Sequence, residues 1–160
     1  MGGESMYRKI LVPLDGSKLA ECVLPHVEAL AKGSQVQEVF FVRVHEPFRM
    51  PSGGADMMLS EKEIARIDSE HKAAAEKYLR ELVGRLRLDG VQPRWELLTG
   101  PVAESLAEYA TKNKMDLIII ATHGRSGVSR WVWGSVADRI LRSSCVPVLM
   151  VRAPGCVPGI

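Results

Sequence analysis

Apolar residues along the chain alternate between short continuous runs and stretches in which they recur every three or four positions. The short runs predict five strands, at residues 9–14, 36–44, 91–98, 116–121 and 146–151. The helical spacings and helix-start residues predict four helices, beginning near residues 17, 60, 101 and 135. Strands and helices therefore alternate along the whole chain, which is typical of an α/β fold.

Four of the predicted strands, all except the third, are apolar almost throughout. Such strands are typical of a parallel sheet that helices cover on both faces. With right-handed crossovers, the order of the elements predicts an open, doubly wound, Rossmann-like five-stranded parallel sheet in the order 3-2-1-4-5. Ligands of such sheets bind beyond the carboxyl ends of the strands, where the strand order reverses.

Helix ends are predicted from local signals. Asp15-Gly16-Ser17 is expected to form a turn that caps the first helix, and Gly33 to end that helix. Ser60 and Glu63 form a capping-box pattern at the start of the second helix, which Asp89-Gly90 is predicted to end. The face that the second helix buries is predicted to comprise Ile64, Ile67, His71, Ala75, Tyr78, Leu82 and Leu86.

Size and composition fit a single globular domain of ordinary charge. The 160 residues are 46% hydrophobic, and we expect one domain over residues 6–153 with flexible termini at 1–5 and 154–160. A net charge of +2, from 21 basic and 19 acidic side chains, argues against a nucleic-acid partner. Without an apolar run of roughly 18–20 residues or a signal-peptide pattern, we expect no membrane association. Three cysteines without CxxC spacing favour reduced thiols and a cytoplasmic location.

The segment after the fourth strand has the pattern of a phosphate-binding loop. A strand at 117–121 leads into a loop that closes immediately before the fourth helix. Free backbone N–H groups and a helix N-terminus can bind phosphate there, and glycines allow its close approach. We therefore predict a phosphorylated-nucleotide site that includes Thr122, His123, Gly124, Arg125, Gly127, Gly134, Ser135 and Val136. Taken alone, the glycines fit simple loop punctuation equally well.

Asp15 follows the first strand, whose carboxyl end neighbours that of strand four in the order 3-2-1-4-5. Asp15 and the glycine loop therefore converge on one crevice, where a carboxylate suits a ribose hydroxyl or an adenine amine. The alternative is that Asp15-Gly16 forms only a turn with a helix cap. His123 belongs to the residue type that serves as a general base, although a structural bond across the loop is favoured. Asp116, at the amino end of strand four, is predicted to be structural.

Sequence signatures of fast enzymes are absent. The chain has no Gly-x4-Gly-Lys-(Ser/Thr) P-loop, no Gly-x-Gly-x-x-Gly fingerprint and no Gly-x-Ser-x-Gly nucleophile elbow. No second carboxylate pairs with Asp15 in the sequence and the histidines are scattered, so no catalytic residue or metal site is assigned. Slow ATP hydrolysis stays open, because a positioned water would suffice for it. Arg139 and Arg142 are predicted to belong to a solvated helix face rather than to an anion site.

Motifs along nearly the whole chain resemble those of the universal stress protein family. They are Ile10–Ser17, Gly100-Pro101, Asp116–Gly127, Gly134–Leu141 and Cys145–Val151. The resemblance implies the fold predicted above and a role in the stress response. The ATP-binding branch of the family resembles Gly-x2-Gly-x9-Gly-(Ser/Thr), which Gly124 and Gly134-Ser135 match here. Ala121 replaces the first glycine and would belong to the nucleotide site. Ordinary strand geometry would tolerate this change, whereas close packing of the nucleotide on the Cα atom of residue 121 would not.

The resemblance also implies roles for individual residues. Asp15 would contact the nucleoside, while Pro13 and Val44 would line the adenine and ribose slot. The phosphates would be surrounded by Gly124, Arg125, Gly134, Ser135 and Val136. ATP or AMP is the implied ligand. Mg²⁺ is compatible with it, although no cluster of carboxylates dedicated to the ion is visible.

Strand five is predicted to lie at an edge of the sheet, where unpaired backbone groups favour pairing with another chain. Because the family commonly dimerises through this strand, the resemblance implies a two-fold homodimer through Val146–Val151. The same apolar run also fits ordinary burial under helices.

Three functions are considered. The favoured one is an ATP-binding, dimeric stress-response regulator in the cytoplasm with an unidentified protein partner. The second is a nucleotide-free dimeric interaction module, in which Ala121, Trp131 and Trp133 close the crevice. The third, adenylyl transfer, is disfavoured because the Ser-Gly-Gly-x-Asp-Ser signature of such enzymes is missing.

Overall fold

The computed structural model of the chain describes residues 6–33, 35–47, 60–122 and 135–153. The strands are β1 Lys9–Pro13, β2 Glu38–His45, β3 Gln92–Thr99, β4 Leu117–Ala121 and β5 Val148–Val151. The helices are α1 Leu24–Gly33, α2 Glu61–Arg85, α3 Val102–Lys112 and α4 Ser135–Ser143, and a 3₁₀ turn at Ala20–Val23 precedes α1. No helix within the described ranges is long and apolar enough to cross a bilayer.

The five strands form one parallel sheet in the order β3-β2-β1-β4-β5, which confirms the predicted α/β fold. The ladder between β1 and β4 pairs Ile10 with Leu117 and Leu11 with Ile118. The outer ladders run further, to Pro13 on β1 and to Ala121 on β4. The two central strands are therefore bridged near their amino ends, and the strand order reverses between them. Their carboxyl ends flank the position where such sheets bind ligands.

Side chains that alternate along the strands fill two cores, one on each face of the sheet. On one face, Ile10 and Val12 of β1 belong to the core that includes Leu79 and Leu82 of α2. On the other face, the buried residues include Leu11, Val42, Ile118, Ile120, Leu106 of α3 and Ile140 of α4. The sheet is thus covered on both faces, as the continuous apolar runs predict.

The first helical segment is divided into two parts. Ser17 caps it as predicted, because its Oγ accepts the N–H of Ala20 at 3.1 Å. A 3₁₀ turn follows, however, and α1 begins only at Leu24. Pro25 lies in the first turn of α1, where its missing N–H costs no helical hydrogen bond. The helix ends at Gly33, as predicted.

The capping box of α2 is confirmed. The Ser60 Oγ accepts the Glu63 N–H at 3.3 Å, and the Glu63 carboxylate accepts the Ser60 N–H at 2.8 Å. The predicted end at Asp89-Gly90 is wrong, because Leu86 adopts an extended conformation and α2 stops at Arg85. The buried face comprises Ala75, Leu79 and Leu82, so sequence analysis missed Leu79 and wrongly included the exposed His71.

Strand β5 begins at Val148 rather than at Val146. Pro147 has no N–H to donate, although its carbonyl accepts the N–H of Ile118 at 2.9 Å. As predicted, β5 lies at an edge of the sheet. The expectation that it is buried on both sides is wrong, since Leu149 is 38% exposed.

Candidate functional site

The turn after β1 presents Asp15 at the carboxyl edge of the sheet. Asp15 Oδ1 accepts the N–H of Ser17 at 2.8 Å, which closes an Asx turn. Gly16 has φ of +85°, a conformation that glycine adopts at little cost. The turn expected as the alternative is therefore present, and the Asp15 carboxylate is only partly buried within it.

The end of β4 lies beside this turn. Ala121 pairs with Val151, and the N–H of the buried Thr122 donates to the Val151 carbonyl at 2.9 Å. If the register of Ile10 with Leu117 is continued to the carboxyl ends, Asp15 lies opposite Thr122. The two ends that sequence analysis selected thus follow adjacent central strands at the same edge of the sheet.

Three strand-end residues assigned to the nucleotide site, Pro13, Val44 and Thr122, lie on one face of the sheet. Val44 packs against the core beneath α3 and α4, and Val136 near the start of α4 packs against the same core. Strand alternation puts Pro13 on this face with Leu11, and Thr122 with Ile120. These residues belong to three strands and one helix, and they lie toward the carboxyl ends of β1 and β4, between which the strand order reverses.

Ala121, in place of the motif glycine, has ordinary strand geometry. Lys114 alone among the described non-glycine residues has positive φ, so Ala121 does not. Its methyl group belongs to the core on the opposite face, together with Val151. The alanine therefore fits β4 without backbone strain.

The glycine loop lies outside the described residues. This holds for His123, Gly124, Arg125, Gly127 and Gly134, for Trp131 and Trp133, and for the side chain of Ser135. The backbone of Ser135 opens α4, as predicted. The phosphate half of the site therefore remains a prediction from the sequence.

Sequence analysis missed a polar network on the other face of β2. The Arg43 Cζ lies 5.8 Å from the centre of the Tyr78 ring, and the Tyr78 hydroxyl donates to Glu21 Oε1 at 3.2 Å. Glu21 Oε2 also pairs with Arg85 Nη2 at 2.6 Å. Burial raises the pKa of Tyr78 well above its usual value, and the negative charges of Glu21 and Asp15 add to this effect. The sequence feature that could have indicated this network is Arg43, a charged residue inside the apolar strand β2.

His45 ends β2 and is buried beneath α2. Its Nε2 lies 3.4 Å from Asp68 Oδ1 without a hydrogen bond, and its ring centre is 6.5 Å from that of His71. In the described part of the chain, no group of three His, Cys, Asp or Glu residues is arranged to hold a metal ion. The arginines of α4 are exposed and pair with acids: Arg139 with Glu104, and Arg142 with Asp138 at 3.0 Å. The solvated face predicted for them is confirmed.

Comparison with known proteins agrees with this architecture. The model of the universal stress protein family matches residues 6–152. Universal stress protein MJ0531 of Methanocaldococcus jannaschii is 32% identical over 154 residues, which cover 95% of this chain and 86% of that protein. The solved structure of MJ0577, from the same organism, has a TM-score of 0.68 at 25% identity and covers 94% of this chain and 99% of its own.

Two more distant structures of the same fold contain adenine nucleotides. A universal stress protein in complex with cAMP has a TM-score of 0.65 at 21% identity, covering 92% of this chain and 98% of its own. A family protein from Arabidopsis thaliana with AMP bound has a TM-score of 0.62 at 14% identity, covering 92% of each chain.

Proposed function

This chain belongs to the universal stress protein family, and from that premise we propose that it binds an adenine nucleotide, ATP or AMP, and acts as a dimeric stress-response regulator. The observation that carries the proposal is that Asp15 follows β1 and Thr122 follows β4 at the carboxyl edge where the strand order reverses. The β1–β4 ladder stops near the amino ends, while Asp15 and Thr122 stand at the adjoining carboxyl ends. The cAMP and AMP complexes of proteins with this fold support the same ligand class.

In the proposed complex, the nucleoside lies at the carboxyl edge on the side of α3 and α4. Pro13 and Val44 supply apolar contacts to adenine and ribose, and Asp15 accepts a hydrogen bond from the nucleoside. The N-terminus of α4 faces the phosphates, whose negative charge its dipole favours. The loop residues Gly124, Arg125 and Gly134 complete the phosphate site in this proposal, with Mg²⁺ as a compatible counterion.

The test is a search for bound nucleotide followed by a titration. Purified protein is denatured, and the released material is analysed at 260 nm and by chromatography. Protein stripped of nucleotide is then titrated with AMP, and with ATP plus Mg²⁺, by calorimetry. We expect saturable binding that Gly124→Val abolishes. Gly84→Val is the matched control, because a side chain at this α2 position meets open space.

The second candidate function is a nucleotide-free interaction module, which the departure from the motif glycine at position 121 suggests, although the Ala121 methyl group lies on the opposite face of the sheet. Absence of released nucleotide, together with absence of heat on titration, would select it over the nucleotide-binding proposal. The cytoplasmic location expected from the cysteine pattern, and an unidentified protein partner, are common to both candidates.

We further propose that the chain forms a homodimer through β5. The edge strand exposes Leu149, and Leu141 of the neighbouring α4 is 47% exposed. Two exposed apolar side chains near the edge strand of the described sheet favour association with a second copy.

Leu149→Lys is therefore expected to convert the dimer to a monomer, because it places a charge in the apolar centre of the proposed interface. Sedimentation equilibrium should give twice the 17.6 kDa chain mass for the original protein and once that mass for the variant. Met6→Lys, at an exposed apolar residue that precedes β1, should leave the mass unchanged. An original protein that sediments as a monomer would contradict the proposal.

A further inference from the structure

We propose that Arg43 is a positioning residue of the nucleotide site, whose guanidinium, held between Gly16 and the Tyr78 ring, fixes the turn that presents Asp15. The inference rests on the proposed function and deepens it, since it extends the site to the opposite face of β2. Its evidence is the geometry on each side of the guanidinium.

On the side of the turn, the guanidinium occupies the space next to Gly16. A Cβ built on Gly16 would lie 2.8 Å from Nη1, 3.2 Å from Cζ and 3.5 Å from Nη2 of Arg43. This position therefore faces Arg43 of β2. A side chain at residue 16 would displace the Arg43 guanidinium from this position. Gly16 lies directly between Asp15 and Ser17, whose hydrogen bond closes the turn.

On the side of α2, the guanidinium lies over an aromatic ring that is itself fixed. Its Cζ is 5.8 Å from the Tyr78 ring centre, within the range of a cation–π contact. The Tyr78 hydroxyl is held by Glu21, which Arg85 holds in turn. Glu21 belongs to the 3₁₀ turn that follows Asp15. The segment after β1 is therefore held at two places, by Arg43 of β2 next to Gly16 and by Tyr78 and Arg85 of α2 at Glu21.

Charge gives this packing a consequence for the ligand. The Asp15 carboxylate is close enough to Tyr78 to contribute to the raised pKa of its hydroxyl, so Asp15, Arg43 and Tyr78 share one region. A guanidinium in this region offsets part of the negative charge of the carboxylate and so reduces its repulsion of nucleotide phosphates. Arg43 thus acts on the nucleotide through Asp15 rather than by contact with it.

A double-mutant cycle tests this coupling. Arg43→Met keeps an unbranched apolar stem and removes the guanidinium, and it is expected to weaken AMP binding about tenfold. In the Asp15→Asn background, the same change is expected to weaken binding less than about twofold, because the charged acceptor that Arg43 positions is already absent. Arg94→Met is the matched control: its Cζ also lies 5.8 Å from a ring centre, that of Phe40, but it lies on β3 and should leave the affinity unchanged.

A second measurement does not need nucleotide. In Arg43→Met, amide exchange at Ser17 should accelerate about tenfold, because its hydrogen bond to Asp15 is no longer fixed. Exchange at Thr122, which donates to Val151, should not change, and this excludes general loosening of the fold.

Each result has a distinct meaning. Equal loss of AMP affinity in both backgrounds, or unchanged exchange at Ser17, would overturn the role of Arg43. If the original protein binds no AMP, the proposed function fails, whereas accelerated exchange at Ser17 would still support Arg43 as the residue that fixes the turn.

Discussion

Replacing Asp15 with asparagine is expected to weaken AMP binding by at least about tenfold, because the nucleoside donor loses a charged acceptor. Asparagine removes the negative charge of residue 15 while it allows the turn to form. Its amide oxygen can still accept the Ser17 N–H that now lies 2.8 Å from Asp15 Oδ1. Calorimetric titration of stripped protein with AMP measures the dissociation constant.

Asp89→Asn is the matched control for this change. Asp89 is exposed in the turn that precedes β3, at the amino edge of the sheet, and its replacement should leave the affinity unchanged. An equal dissociation constant for Asp15→Asn and the original protein, both folded by circular dichroism, would show that the carboxylate does not contact the nucleoside.

The covered parallel sheet could be predicted because a strand covered on both faces must be apolar at every position. Strand β4 meets this condition fully, with Leu117 to Ala121 all buried. Strand β5 shows the limit of the same argument. Its sequence is as apolar as that of β4. In the described sheet, however, β5 is an edge strand that pairs only with β4, and its Leu149 is exposed.

Helix boundaries were predictable where local chemistry determines them. The Ser60–Glu63 capping box needs only four consecutive residues, and it forms as predicted. The end of α2 depends instead on tertiary packing. Leu86 and Leu88 are both buried, and an extended backbone, with its period of two, points both toward the same core. The core therefore ends the helix four residues before Asp89-Gly90.

The candidate site also contains residues that the sequence predicts and one that depends on tertiary packing. Pro13, Asp15, Val44 and Thr122 gather at one edge because they end parallel strands, which the predicted topology already implies. Arg43 could not be assigned from the sequence, because its contact with Tyr78 depends on how α2 is rotated over β2. A charge in an apolar strand signals that a partner exists without identifying it.

Asp116 joins the amino ends of the two central strands. Its Oδ2 accepts the N–H groups of Arg8 at 2.9 Å and Lys9 at 2.8 Å, while its own N–H donates to the Lys9 carbonyl at 2.9 Å. The structural role predicted for this residue is confirmed. Asp116→Ala is expected to lower the free energy of unfolding by about 2–3 kcal/mol, because two strand N–H groups lose a charged acceptor. Urea denaturation measures the change.

Asp138→Ala is the control, since this acid pairs only with the exposed Arg142 among the ion pairs of the described residues, and its loss should cost less than about 0.5 kcal/mol. Asp116 and Asp15 lie at opposite ends of the central strands, so their variants should affect different properties of the protein. Asp116→Ala should lose stability and keep its affinity for AMP, whereas Asp15→Asn should lose affinity and keep its stability. A loss of both properties in either variant would mean that the carboxyl-edge site and the amino-edge junction are not independent.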